Sequence, residues 1–164
     1  GGLGHLGLQF ANRLGFRTVA VSRGKDKEQL ARELGADEYI DAATQNPAQA
    51  LQAMGGARVV LTTAPSGQAL ASILGGIGRN GQLLVVAAPP DASEFYLASL
   101  IEGNRSIQGW ASGTAIDTED TLRFSALRHV RPKIEVLPLE RASEGYERMI
   151  SNRARFRVVL SMQR

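Results

Sequence analysis

Three glycines near the beginning of the chain have the spacing of a loop that binds a diphosphate. Gly2, Gly4 and Gly7 form the pattern G-x-G-x-x-G, and apolar residues with helical spacing accompany them. In a doubly wound sheet the first glycine allows a tight turn, the second lets the backbone approach a diphosphate, and the third lets a helix pack closely on a strand. The dipole and free N–H groups of the helix N-terminus favour the negative charge. The pattern therefore predicts a dinucleotide site at residues 2–7.

The segment after the next β-branched run indicates which dinucleotide is bound. A ribose 2′-hydroxyl is usually met by Asp or Glu at the end of the second strand, whereas a 2′-phosphate is met by Arg or small polar residues. Here the run ends at Ser22, and Arg23 and Lys25 follow before any carboxylate. Arg23 can bind a phosphate through charge-assisted hydrogen bonds, helped by the Ser22 hydroxyl and Lys25. These residues favour NADP(H) over NAD(H); the alternative is that they are solvated loop residues without a ligand.

Composition excludes several other kinds of chemistry. The 164 residues include no Cys and only two His, so this chain cannot itself build a thiolate-ligated zinc site, an iron–sulfur cluster or a Cys nucleophile. The basic excess is local, with 10 Lys and Arg against 4 Asp and Glu over residues 123–164, and aromatic residues make up 5%. That pattern argues against nucleic-acid binding. No run approaches the roughly 20 apolar residues that cross a bilayer, so we expect a cytoplasmic protein with no membrane partner.

Helix and strand signals alternate along the first 90 residues. Asn46 and Ser66 are expected to cap helices, and Asn80-Gly81 is expected to form a turn before a strand. Strands that are apolar on both faces, separated by amphipathic helices, predict an α/β, Rossmann-type doubly wound fold with a mainly parallel sheet. The predicted helices are residues 3–14, 26–34, 47–54, 66–74, 95–101, 117–129 and 141–150, and the predicted strands are 18–22, 39–41, 59–63, 83–88, 106–110, 134–137 and 157–161.

The glycine pattern should follow a strand, yet residue 1 already lies inside the loop. We therefore expect the first strand of the sheet to be missing from this chain, and the chain to be truncated. Neighbouring strands would then border an unpaired gap.

Several strings in the chain together resemble the zinc-type alcohol dehydrogenases of the medium-chain dehydrogenase/reductase superfamily. They are residues 2–7 (GLGHLG), 34–37 (LGAD), 81–86 (GQLLVV), 107–110 (IQGW) and 155–160 (RFRVVL), and they occur in the family's order over nearly the whole chain. In that family the cofactor domain is inserted into a GroES-like catalytic domain whose Cys and His residues hold zinc. The resemblance implies that these zinc ligands lie upstream of this chain.

The resemblance also implies a role for individual residues in binding the cofactor. It places the glycine loop and an arginine at the diphosphate, a Ser-Arg pair at the 2′-phosphate, and the residues after three later strands along the nicotinamide half. The implied residues are Gly2, Leu3, Gly4, His5, Leu6 and Arg157 for the diphosphate, Ser22 and Arg23 for the 2′-phosphate, Thr62, Thr63 and Ala64 for the adenosine and the nicotinamide-side ribose, and Val86, Ala87, Ala88, Gly109, Trp110 and Ala111 for the nicotinamide end.

The expected function is that of an NADP(H)-binding domain in a zinc-dependent enzyme that interconverts alcohols and aldehydes or ketones. Residues 1–133 would form the dinucleotide-binding domain, and residues 134–164 would return toward the catalytic domain. The chain itself is expected to carry no catalytic residue and no metal ligand, and residues 106–110 resemble an edge strand that pairs across a homodimer axis. The alternatives are the cofactor domain of a zinc-free NADPH quinone reductase and a non-catalytic nucleotide-binding module.

Overall fold

The computed structural model describes residues 1–87 and 89–162. Helices and strands alternate along almost all of this part of the chain, and short 3-10 turns occur at Lys25–Lys27 and Leu139–Arg141. The helices are α1 (Gly4–Arg13), α2 (Glu28–Glu33), α3 (Pro47–Ala53), α4 (Gly67–Leu74), α5 (Ala98–Gly103), α6 (Ala115–Arg128) and α7 (Ala142–Ile150), and the strands are β1 (Val19–Ser22), β2 (Glu38–Asp41), β3 (Ala57–Thr62), β4 (Ile77–Val85), β5 (Ser106–Gly109), β6 (Ile134–Pro138) and β7 (Arg157–Ser161).

Every strand pairing among the described residues is parallel. β1 pairs with β2, the order β3-β4-β5 forms a three-stranded sheet, and β6 pairs with β7. Parallel strands need a crossover between them, and helices α2, α4, α5 and α7 lie in those crossovers. The predicted α/β class with a parallel sheet is confirmed.

The chain divides into two compact units. The first comprises Gly1–Thr18, Leu30–Asp37 and the chain from Ala115, and it contains α1, α6, α7, β6 and β7. The second comprises Val19–Gln29 and Glu38–Thr114, and it contains the sheets β1-β2 and β3-β4-β5. Each unit is built from elements that lie far apart in sequence.

Two helix starts follow directly from local sequence. The Asn46 side chain accepts a hydrogen bond from the Gln49 N–H at 3.1 Å, with Pro47 at the first helical position. The Ser66 hydroxyl accepts one from the Ala69 N–H at 3.3 Å. Both are N-caps that satisfy an otherwise unpaired N–H group, as the sequence predicted.

The core of the second unit lies where α4 packs on the three-stranded sheet. Its buried members are Val60, Leu70, Leu74, Ile77 and Leu83. Burial of side chains of this size contributes about 1.5–3 kcal/mol each.

The prediction that the strands are apolar and buried on both faces is only partly correct. On β3, the side chains of Val59 and Leu61 are 42% and 46% exposed, while Val60 and Thr62 are buried. β3 therefore alternates between buried and exposed positions among the described residues.

The turn predicted at Asn80-Gly81 is wrong, because both residues lie inside β4. The register jumps from Ala57 opposite Ile77 to Val59 opposite Gln82, so extra residues bulge out of β4. Asn80 adopts a φ of 56°, and a Cβ at Gly81 would lie 2.7 Å from the Ala57 carbonyl oxygen. The left-handed backbone and the close approach that favour Asn and Gly in a hairpin turn also favour them in a bulge.

The strand predicted for residues 83–88 ends at Val85, and Ala88 lies outside the described residues. The helix predicted for residues 95–101 begins later, at Ala98, and continues to Gly103.

Candidate functional site

The glycine turn, residues 1–5, presents unpaired backbone donors at the start of α1. The helix begins at Gly4, and its N-cap residue, Leu3, provides no side-chain hydrogen bond. Along the chain, the first backbone N–H that makes a hydrogen bond is that of His5, which donates to the Gly1 carbonyl at 3.1 Å. The N–H groups of Gly2, Leu3 and Gly4 thus have no acceptor among the described residues. Three such groups at the positive end of a ten-residue helix form a site suited to an anion.

Arg157, the first residue of β7, lies against the glycine turn. Its Nε donates to the Gly2 carbonyl oxygen at 3.2 Å, and a Cβ added to Gly2 would lie 3.2 Å from that same nitrogen. A guanidinium has five N–H donors, so the four on its terminal nitrogens remain for a ligand. The structure places Arg157 against Gly2, and a contact of Arg157 with a diphosphate stays a prediction.

His5 is buried, with 2% of its surface exposed. Its Nδ1 lies 3.1 Å from the Gly1 carbonyl oxygen, and its Nε2 accepts a hydrogen bond from the Lys133 N–H at 3.0 Å. The ring stacks on Phe156 with 4.8 Å between centroids. These contacts define a neutral imidazole with the proton on Nδ1. The side chain therefore has no nitrogen left for a direct contact with a diphosphate.

Burial is the main cause that lowers the pKa of His5. The hydrogen bond to Gly1 opposes this shift, while the positive charge of Arg157 adds to it. A lowered pKa keeps the imidazole neutral, which the Lys133 contact requires because a protonated Nε2 cannot accept a hydrogen bond.

The apolar stripe that predicted α1 is largely solvent-facing. Leu3 and Leu14 are 47% and 59% exposed, and Leu6 and Phe10 are half-buried. Among the described residues of α1, the buried side chain is that of His5. The helix is confirmed, but its innermost residue is a polar one that the apolar spacing did not reveal.

The selector loop, residues 22–25, follows β1 and is held through its backbone by residues of β2. The Asp41 carboxylate accepts the N–H of Gly24 at 2.8 Å, and the Tyr39 hydroxyl donates to the Gly24 carbonyl at 2.6 Å. Gly24 itself has φ 93° and ψ 130°, a conformation that side-chain-bearing residues rarely adopt.

The environment of these residues shifts two pKa values. Backbone hydrogen bonds from Ala43 and Gly24 lower the pKa of Asp41, and the charge of Lys27 adds to this effect. Burial raises the pKa of the Tyr39 phenol. Tyr39 thus keeps its proton and can donate it to Gly24, while Asp41 stays ionised and accepts. Nothing in the local sequence pattern identified Tyr39 as a residue that holds this loop.

Arg23 and Lys25 are exposed. No side-chain hydrogen bond or ion pair joins either of them to another residue in the part of the chain that the structure describes. The selector loop thus carries two cationic side chains without a partner among the described residues, while its backbone is held by hydrogen bonds to β2.

The remaining predicted site residues follow the carboxyl ends of β3, β4 and β5. Thr62 lies opposite Val85, and Val85 lies opposite Gly109, so the three strands end in register. The ladder continues one step further, since the Val86 N–H donates to Thr62 and the Trp110 N–H donates to Val85, at 3.3 and 3.0 Å. The structure thus brings Thr62, Thr63, Ala64, Val86, Ala87, Gly109, Trp110 and Ala111 to one edge of this sheet, whereas Ala88 lies outside the described residues.

The N-terminus of α4 follows the same sheet edge but is already occupied. Ser66 accepts the Ala69 N–H, and the Asp91 carboxylate accepts the Gly67 N–H at 3.1 Å. Because two side-chain oxygens fill this helix start, it offers an anion less than the uncapped start of α1 does. The local sequence did not predict the hydrogen bond between Asp91 and the Gly67 N–H.

The described residues contain no cluster of metal-ligating side chains and no membrane-spanning helix. No group of three or more His, Asp or Glu side chains there is placed to hold a metal ion. Within residues 1–87 and 89–162, no helix is both long and apolar enough to cross a membrane.

Comparison with known proteins assigns the family. The model of the zinc-binding dehydrogenase family matches residues 2–126, and the chain belongs to that family. This confirms the resemblance drawn from the sequence.

Named relatives agree with this assignment. The chain is 43% identical over 162 residues to alcohol dehydrogenase notN of Aspergillus sp. strain MF297-2, which covers 99% of this chain and 48% of the relative. It superposes on an alcohol dehydrogenase zinc-binding domain protein from Burkholderia ambifaria with a TM-score of 0.89 at 24% identity, over 100% of this chain and 47% of that one. The CAD of Helicobacter pylori, solved in complex with NADP(H), gives a TM-score of 0.80 at 24% identity over 99% of this chain and 46% of its own. The chain thus spans about half the length of the relatives it matches.

Proposed function

We propose that this chain is the NADP(H)-binding domain of a zinc-dependent alcohol dehydrogenase. The observation that carries the proposal is the uncapped start of α1. There, the N–H groups of Gly2, Leu3 and Gly4 lack acceptors among the described residues, and the Arg157 guanidinium lies against Gly2. This combination of backbone donors and a fixed cation suits a dinucleotide diphosphate. Leu6 and His5 belong to the same turn of helix, and we assign them a supporting role.

The adenosine 2′-phosphate would be bound by the selector loop. Arg23 and Lys25 are exposed cations, and Ser22 supplies a hydroxyl at the end of β1. A phosphate carrying nearly two negative charges is bound better by such a loop than an uncharged hydroxyl is. The preference for NADP(H) over NAD(H) is supported by this chemistry, and a protein of the same fold is known in complex with NADP(H).

The nicotinamide half of the cofactor would lie along the carboxyl edge of β3-β4-β5. Ligands of open α/β sheets bind at the carboxyl ends of the strands, where Thr62, Val86 and Gly109 are found with their neighbours. The bound nicotinamide supplies a hydride acceptor or donor, and the protein supplies its orientation. These residues contribute positioning and backbone hydrogen bonds.

Zinc would be held by another part of the protein. This chain has no Cys, and its described residues form no group of metal-ligating side chains. We propose residues 1–133 as the nucleotide-binding domain and residues 134–164 as the segment that returns toward a catalytic domain. A homodimer through β5 and a cytoplasmic location belong to the same proposal.

The proposal is tested by titrating the intact protein with NADPH and NADH in parallel while following nucleotide fluorescence. We expect NADPH to bind at least about tenfold more tightly, a difference of about 1.4 kcal/mol, and the difference to disappear in Arg23→Ala. Arg79→Ala, whose guanidinium donates to the Glu102 carbonyl in a different part of the chain, is the matched control.

Three other outcomes would each overturn part of the proposal. Equal binding of the two nucleotides would remove the role of the selector loop. A folded protein that binds neither would remove the cofactor assignment. If a zinc assay of the active intact protein finds no metal, the assignment as an alcohol dehydrogenase would be replaced by that as a zinc-free quinone reductase.

A further inference from the structure

A closed set of hydrogen bonds passes through both ring nitrogens of His5. Nδ1 donates to the Gly1 carbonyl at 3.1 Å, and Nε2 accepts from the Lys133 N–H at 3.0 Å. The Lys133 carbonyl accepts the N–H of Arg157 at 3.2 Å, and the Arg157 Nε donates to the Gly2 carbonyl at 3.2 Å. This set, which we call the His5 circuit, begins and ends on the glycine turn and includes both the backbone and the guanidinium of Arg157.

The burial of His5 makes it the least movable member of the circuit. The side chain is 2% exposed, and its ring stacks on Phe156, the residue that precedes Arg157. Phe156 also donates its N–H to the Lys133 carbonyl at 3.1 Å. A rotation of the imidazole would therefore break two hydrogen bonds and a ring contact at once, so one rotamer is strongly favoured.

Among the residues of the circuit, Arg157 has the side chain that would lose the most conformational entropy on binding a ligand. It is exposed, and long side chains of this type carry up to about 2 kcal/mol of rotamer entropy. If the circuit already holds its backbone and its Nε, less of that entropy is lost when the terminal nitrogens bind an anion.

We propose that His5 is a positioning residue for the dinucleotide diphosphate. It holds the Arg157 guanidinium in register with the N–H groups of Gly2, Leu3 and Gly4, and it does not itself touch the ligand. This inference rests on the proposed function, and it adds a residue whose effect is exerted through Arg157.

The test is a double-mutant cycle on the intact protein with NADPH as the probe. The dissociation constant and the melting temperature are measured for the wild type, His5→Ala, Arg157→Ala and the double variant. We expect His5→Ala to weaken binding by about tenfold in the wild-type background and by less than about twofold when Arg157 is already absent. His5→Asn, whose amide can donate from the Nδ1 position, should recover part of the affinity.

His129→Asn is the matched control, because this second histidine is exposed and has a φ of 57°, which Asn tolerates. It should leave the dissociation constant unchanged. Where His5→Ala fails to fold, the same cycle is run with His5→Gln, which retains a side-chain amide able to accept from Lys133.

Two results overturn the inference, and they differ from failure of the proposed function. Equal losses from the His5 substitution in both backgrounds would show that it does not act through Arg157. A lower melting temperature with an unchanged dissociation constant would leave His5 a purely structural residue. A folded wild type that binds no nicotinamide nucleotide would overturn the proposed function itself and this inference with it.

Discussion

The glycine turn and the selector loop are fixed in opposite ways. At the glycine turn, a cationic side chain is part of the hydrogen-bonded framework, since Arg157 donates to Gly2 and is linked through Lys133 to the buried His5. At the selector loop, the framework holds only the backbone, through Gly24, and leaves the cations Arg23 and Lys25 exposed.

Under the proposed function, this difference separates two tasks of the cofactor site. Every nicotinamide dinucleotide has the same diphosphate, so the part of the site that binds the diphosphate gains affinity from being preorganised. The 2′-phosphate is present in only one of the two cofactors, and in the proposed site the exposed cations of the selector loop would distinguish it. We therefore expect substitutions at the glycine turn to weaken the binding of both NADPH and NADH. Substitutions at the selector loop should change the ratio of the two affinities.

Arg157→Ala should give the largest effect. Loss of a charge-assisted contact with a phosphate costs about 1.5–3 kcal/mol, which corresponds to roughly a 10- to 150-fold weaker dissociation constant for both NADPH and NADH. Fluorescence titration measures it, and Arg153→Ala, an exposed arginine that donates to the Ser151 hydroxyl, is the control. A loss confined to NADPH would contradict the division of tasks.

Gly24→Ala should strain the selector loop. A side-chain-bearing residue at φ 93° and ψ 130° costs about 1–3 kcal/mol, and the new Cβ would also meet the Asp26 carboxylate. We expect a lower free energy of unfolding in denaturant and a smaller ratio of NADPH to NADH affinity. For the free energy of unfolding, Gly109→Ala serves as the comparison, because no atom lies within 4 Å of its Cβ position. An unchanged nucleotide ratio would show that the loop conformation does not set the preference.

Tyr39→Phe removes one hydrogen bond from the same loop. Its hydroxyl donates to the Gly24 carbonyl at 2.6 Å, and loss of such a bond costs about 0.5–1.5 kcal/mol. Thermal unfolding should show a modest destabilisation, and the nucleotide ratio should fall less than in Gly24→Ala. Tyr146→Phe, at a tyrosine that is 63% exposed in α7, should change neither quantity. If both phenylalanine variants behave alike, Tyr39 does not hold the loop.

The smallest expected effect is the pH dependence contributed by His5. Its pKa is lowered in the folded chain, so the unfolded chain binds more protons between that lowered pKa and about 6.5. The contribution of His5 to stability is thus complete above about pH 6.5 and is lost as the pH falls toward the folded-state pKa. Denaturant unfolding of the full chain, measured from pH 7.5 to 5, should show this loss as a fall in the free energy of unfolding. His5→Gln should remove the contribution of His5 to this pH dependence. Identical slopes in the two proteins would exclude His5 as its source.

Local signals in the sequence were enough to locate most of the elements. The caps at Asn46 and Ser66 were predicted because a cap depends on residues two or three positions away. The parallel class followed from apolar runs alternating with helical spacings, and the order of the strand ends brought Thr62, Val85 and Gly109 to one edge.

Other features depended on partners that a local pattern does not show. Asn80-Gly81 has the composition of a turn, but pairing of β4 with β3 makes it a bulge. Tyr39 reads as an ordinary strand residue until Gly24 is seen beside it. Asp91 is remote in sequence from the N–H of Gly67 that it accepts.

The glycine spacing, the free cations after β1 and the family resemblance were available from the sequence, because each depends on residue types at short separations. The role of His5 was decided by the tertiary structure. Its ring nitrogen accepts from Lys133 across 128 positions, and the Gly2 carbonyl accepts from Arg157 across 155. Hydrogen bonds of that separation exist only after the chain has folded, since the cost of closing so long a loop is met by the packing of the whole unit.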